Sequence, residues 1–208
     1  TADMRLHSLR SRLGGQLPPL ALRELNGRVV VEHHRQATSV TTEKLQLLTT
    51  EGLRLPPTNV AIALHHSDDA QAQGNVSINT LDLETVAAIA SHLPLPAEFA
   101  DTLQQLAPRG RLTDLRVGWS GASQTPERWN VSGRVDQLWL KARDVTPGVQ
   151  NISGQVLGDQ DSGRLTLNGN DAAVDLPAVF ADPVLPLGKL DAVIEWNRNK
   201  DADGAPVI

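Results

Sequence analysis

Repeatedly in this chain a glycine is followed by a polar residue and then by Val or Leu. The triplets include Gly27-Arg28-Val29, Gly74-Asn75-Val76, Gly110-Arg111-Leu112, Gly133-Arg134-Val135, Gly154-Gln155-Val156, Gly163-Arg164-Leu165 and Gly188-Lys189-Leu190. Around them apolar and polar residues alternate. In the stretch that opens at Trp129, residues Trp129, Val131 and Val135 share one parity, and Asn130, Ser132, Arg134 and Asp136 share the other. A period of two belongs to a strand with one apolar and one wet face. Turn residues such as Thr146-Pro147-Gly148 and the polar run Gly158 to Gly163 separate these segments. The connections are too short for parallel crossovers, so the pattern predicts about ten strands in an antiparallel sheet.

One region departs from period two. Asp82 is suited to cap a helix, and Leu83, Val86, Ala87, Ile89 and Ala90 keep helical spacing. Leu93-Pro94-Leu95-Pro96 breaks that helix, with Pro96 placed to open another, whose stripe is Phe99, Leu103 and Leu106. A helical insertion over residues 82–107 of a β protein follows, covering one end of the sheet or closing a groove as a lid. Elsewhere the expected strands include Met4 to Leu13, Val40 to Leu48, and Val60 to His66, the last starting after a break at Pro56-Pro57.

Composition narrows the function classes. The 208 residues have a formal net charge of −5, and their 19 Lys and Arg form no polybasic block. That excludes a general nucleic-acid binder, which needs clustered cations to neutralise phosphates. With no cysteine there is neither a disulfide framework nor a thiolate metal site. No uninterrupted apolar run exceeds the five residues of Val86 to Ala90, far from the roughly 20 that a spanning helix needs. The chain starts in mid-pattern at Thr1 and ends as an apolar segment, Ala205 to Ile208, begins. It is expected to be one segment, 1–208, of a longer protein, and to self-associate through sheet edges exposed by the cut.

The sequence offers little to catalysis. Neighbours on a strand face opposite ways, so neither His33-His34 nor His65-His66 can chelate one metal by itself. Asp161-Ser162-Gly163 matches the short aspartic-protease string but lacks the second carboxylate, and reads as a turn. Gly118-Trp119-Ser120-Gly121-Ala122 has Ala where a nucleophile elbow needs Gly. Asn199 to Gly204 resembles half a calcium loop without its bidentate acid. No enzyme and no cofactor is expected.

A resemblance carries the reading further. The run Leu106-Ala107-Pro108-Arg109-Gly110 leads through Leu112 and Leu115 to Trp119-Ser120-Gly121. Pro147-Gly148-Val149, Ile152-Ser153-Gly154, Gly163 to Leu167, Leu176 to Phe180, and Leu187 to Leu190 ahead of Trp196 follow in order. Together these residues resemble the central region of YhdP-type proteins in the AsmA-like superfamily. The resemblance implies an elongated, twisted antiparallel sheet forming an open groove in the periplasm. It also implies an inner-membrane anchor outside this segment, and the passage of phospholipid between the two membranes with acyl chains in the groove. It supplies no catalytic residues. The residues expected to line such a groove are Val29, Val31, Leu115, Val117, Trp119, Val131, Val135, Leu165, Leu167, Ile194 and Trp196. Two other classes fit the same pattern: a carbohydrate-binding β-sandwich presenting Trp119, Trp129, Trp139 and Trp196, and a structural envelope scaffold that carries no lipid.

Overall fold

The computed structural model describes residues 1–65, 72–93, 95, 97–122, 125–143 and 146–198. Ten strands follow one another in an antiparallel meander, and their order across the sheet is their order in the chain. They are β1 (Ala2–Ser11), β2 (Leu20–His34), β3 (Ala37–Thr49), β4 (Arg54–His65) and β5 (Gln73–Asp82), then β6 (Arg109–Ala122), β7 (Thr125–Leu140), β8 (Gly148–Asp159), β9 (Ser162–Asp175) and β10 (Val184–Asn197). The sheet does not close: β1 pairs only with β2 and β10 only with β9. Between β5 and β6 stand helix α1 (Leu83–Ile89), a 3₁₀ turn (Ala90–His92) and helix α2 (Ala97–Leu106). Despite this insertion β5 pairs with β6 from one end to the other, from Gln73 opposite Ser120 to Asp82 opposite Arg111.

The mainly β architecture with two short helices is as the periodicity indicates. Asp82 caps α1 as expected, its Oδ1 accepting the Thr85 N–H at 2.9 Å. Pro56 and Pro57 do not interrupt a strand, however. They lie inside β4, at an irregularity where the ladder steps from Leu45 opposite Thr58 to Leu47 opposite Leu55, so no bridge partner is assigned to either proline. The β8–β9 turn is also tighter than the polar run suggested, with only Gln160 and Asp161 between the strands. The calcium-like run Asn199 to Gly204 and the final apolar segment lie outside the described residues.

The two ends of the strands differ. On one rim β2 turns into β3 across residues 35–36 and β8 into β9 across 160–161, beside the last residues of β4 and β6 and the first of β5 and β7. The other rim takes residues 12–19, 50–53 and 176–183 and both helices. We call these the hairpin rim and the helix rim. The compact core lies at the helix rim, where Leu20, Leu22, Leu47 and Leu55 from β2, β3 and β4 are buried against Ile89. Thr85 ties α1 to the sheet by donating its hydroxyl to the Arg54 carbonyl at 3.1 Å. The helices therefore cover one end of the sheet.

Every strand except β4 and β5 carries at least one residue of positive φ: Ser8, Gly27, Lys44, Asp114, Gln137, Asn151, Asp171 and Gly188 mark β1–β3 and β6–β10. All but Ser8 fall at register shifts of the ladder. Such bulges add a residue on one strand and increase its twist. Side chains supply acceptors to backbone there. The Lys44 N–H donates to Asn59 Oδ1 at 2.7 Å, and the Gln137 N–H to Ser153 Oγ at 3.0 Å.

Candidate functional site: an uncovered apolar face

Residues opposite one another in a ladder share a face, so the register assigns every side chain of the sheet. One row runs Val31, Val40, Ile62, Val76, Val117, Val131, Gly158, Gly163, Trp196, unbroken from β2 to β10. Beside it Val29, Thr42, Val60, Ile78 and Leu115 lead across the β6–β7 shift to Gly133, Val156, Leu165 and Ile194. Nearer the helix rim lie Leu112, Val135, Gly154, Leu167 and Ala192, and nearer the hairpin rim Leu64, Gly74, Trp119 and Trp129.

All eleven residues expected to line a groove fall in these rows. Sequence reasoning left out Val40, Val60, Ile62, Val76, Ile78, Leu112 and Val156, which fill the gaps between them and carry the same period-two signal. None of the eleven is fully buried: Val31 is 57% and Ile194 51% exposed, and the other nine are half-buried among their neighbours. Away from the helix rim no second layer of the described chain lies over this face.

The opposite face is wet. Arg28 bonds Asp3 at 2.6 Å and Glu43 at 3.3 Å, Arg134 reaches Asp114 at 3.3 Å, and Arg164 reaches Glu195 at 3.5 Å, all well exposed. The Arg28 guanidinium, by hydrogen bond and charge, holds the Asp3 carboxyl below its ordinary range. A hollow of about 510 Å³ opens on the hairpin side, where Gly118 leaves a side chain out of the row Asn75, Gly118, Asn130, Asp159. Its polar lining does not suit an acyl chain.

Glycines on the apolar face make room for indoles. A Cβ built on Gly163 would lie 2.0 Å from Trp196 Cζ2 and one on Gly158 2.5 Å from the same atom, so the Trp196 ring lies across both backbones. Trp119 covers Gly74 in the same way, at 2.1 Å from such a Cβ. The Trp196 Nε1–H donates to the Asp159 carbonyl at 3.1 Å. Asp159 closes the β8–β9 turn, its Oδ1 accepting the N–H groups of Ser162 at 2.8 Å and Asp161 at 2.9 Å, and these bonds lower its pKa. Trp139 stands apart near the helix rim, with the Arg109 guanidinium 5.1 Å from its ring centre.

The histidines make no common site. His34 and His65 both face Ala37 from opposite sides, two strand spacings or about 10 Å from each other. His33 Nδ1 is 2.9 Å from Thr38 Oγ1. Among the described residues no group of three His, Cys, Asp or Glu is arranged for a metal ion.

An open antiparallel sheet with one apolar face, interrupted by a short helical pair, is what a match to known families must explain. The family model described as YhdP protein matches residues 1–203, nearly the whole chain. The chain belongs to the YhdP family. That membership fits an AsmA-like envelope protein, and the YhdP family is not a known enzyme family. No curated protein and no solved structure matches this YhdP-family chain. Among its described residues no helix is long and apolar enough to cross a membrane.

Proposed function

We propose that this chain is a periplasmic segment of an inner-membrane-anchored AsmA-like protein, and that its apolar face carries the acyl chains of phospholipid moving between inner and outer membranes. One observation carries the reading: aliphatic rows cross nine strands, and away from the helix rim no layer of the described residues covers them. At about 4.8 Å between strands, nine strands give a track of about 38 Å. Each acyl CH₂ kept from water contributes roughly 0.8 kcal/mol, so a tail in transit is best covered continuously. A surface of repeated Val, Leu and Ile does this without one deep well to trap the lipid. No acid–base pair or cofactor enters this role.

A charge on the face tests it. At an open face a carboxylate reaches water, so Val117→Asp and Val135→Asp should fold, with an unchanged far-ultraviolet circular dichroism spectrum. Both variants should lose bound phospholipid, because a charge in an acyl path costs about 2–4 kcal/mol or more. Photo-crosslinkers at positions 117 and 135 should form phospholipid adducts in cells. Unfolding of both variants together with no adducts would rule the reading out.

A further inference from the structure

The two rims of the apolar face are chemically unlike, and this asymmetry orients a bound amphiphile. At the helix rim the face is sealed over β2–β4, with Leu22, Leu47 and Leu55 at most 8% exposed beneath Ile89. The longest connections of the chain crowd the same side. At the hairpin rim the β2–β3 and β8–β9 connections are two residues long. Trp119, Trp129 and Trp196 stand there half-buried. The Trp196 ring lies over Gly158 and Gly163 with its N–H turned to the Asp159 carbonyl, and the Trp119 ring lies over Gly74. An indole placed so, apolar body on hydrocarbon and polar edge outward, is the side chain of an acyl–headgroup boundary. A polar group stands just beyond: Gln160 in the β8–β9 turn, whose Oε1 accepts the Trp129 backbone N–H at 3.0 Å.

Resting on the proposed function, we infer that a diacyl phospholipid lies across this face in one orientation. Its headgroup sits over the hairpin rim between the Trp119–Trp129 pair and Trp196, and its acyl chains run toward the helix rim. Lipids would then move side by side along the sheet, all headgroups on the same edge.

Position-labelled lipid reads the orientation directly. The chain has no cysteine, so Leu167→Cys and Ala192→Cys each give one unique site for a fluorophore on the helix side. Ala192 and Trp196 are four residues apart on β10, or about 13 Å. In a Trp139→Phe background the remaining indoles all report from the hairpin rim. The probes are phosphatidylcholine bearing a nitroxide on the headgroup or near the chain end. The headgroup label should quench tryptophan roughly twofold or more above the chain-end label, and fluorophores at 167 and 192 should show the reverse, given that 13 Å separation. Equal quenching at both rims, or the opposite gradient, with lipid bound, overturns the orientation alone. Failure of every label to quench, with no phospholipid extracted from the re-isolated protein, overturns the lipid reading itself.

Discussion

Gly163 and Trp196 show how one missing Cβ fixes a neighbour's place. The ring occupies the volume that any larger residue at 163 would claim. Gly163→Ala must therefore lift the indole and strain its bond to the Asp159 carbonyl. The expected cost is about 1–3 kcal/mol, read as a lower urea midpoint with red-shifted tryptophan emission. In the Trp196→Ala background the same change should cost much less, the non-additivity expected of touching residues. Asp159 gives a second residue-scale expectation. Its pKa is depressed in the folded chain by the Ser162 and Asp161 N–H bonds, so its contribution is complete above the ordinary carboxyl range. It is lost as pH falls below about 4 and through the lowered value. Amide exchange at Asp161 and Ser162 should accelerate in that window, and Asp159→Asn, which keeps an acceptor, should abolish the pH dependence. Sequence parity showed Trp119, Trp129 and Trp196 on the aliphatic side. It could not show the glycine beneath Trp119, because Gly74 lies on another strand and only register brings the two together.

Among the elements, the helical insertion is joined to the sheet through few side chains. Ile89→Ala removes the one helical member of the buried leucine cluster and should cost about 2–4 kcal/mol. Near-ultraviolet signals from the sheet tryptophans should persist while exchange rises across α1 and the 3₁₀ turn. Loss of the whole sheet on this substitution would contradict the division of the molecule into a sheet and a locally supported cap. The strands were legible because each exposes one polar face, which imprints period two on the chain. The bulges were not legible. Leu112 and Leu115 are three residues apart and yet share the apolar face, because Asp114 takes a left-handed turn between them. In the sequence that appears only as a broken alternation. The prolines of β4 misled for the opposite reason: a residue type that usually ends strands sits where the ladder already skips a bond.

For the whole molecule, the governing fact is that each strand pairs only with those next to it in the chain. Stability is then close to a sum over adjacent interfaces, as in repeat proteins. The outermost strands, β1 and β10, have one neighbour each and should open first. Hydrogen exchange should show a gradient of protection rising from both edges toward β4–β7, whereas a single cooperative rate over all ten strands would refute it.

The neighbour-only pairing also bears on how the chain acquires its shape. A long β-protein usually folds slowly, because remote segments must find each other before any contact rewards the search. Here every ladder joins segments that are adjacent along the polypeptide, and the widest gap, residues 83–108, has its own helices to shorten it. Each new strand can add to the edge left by the one before. Such a chain can assemble in the order in which it is synthesised or threaded through a pore, with only β1 and the most recent strand presenting a free edge at any moment.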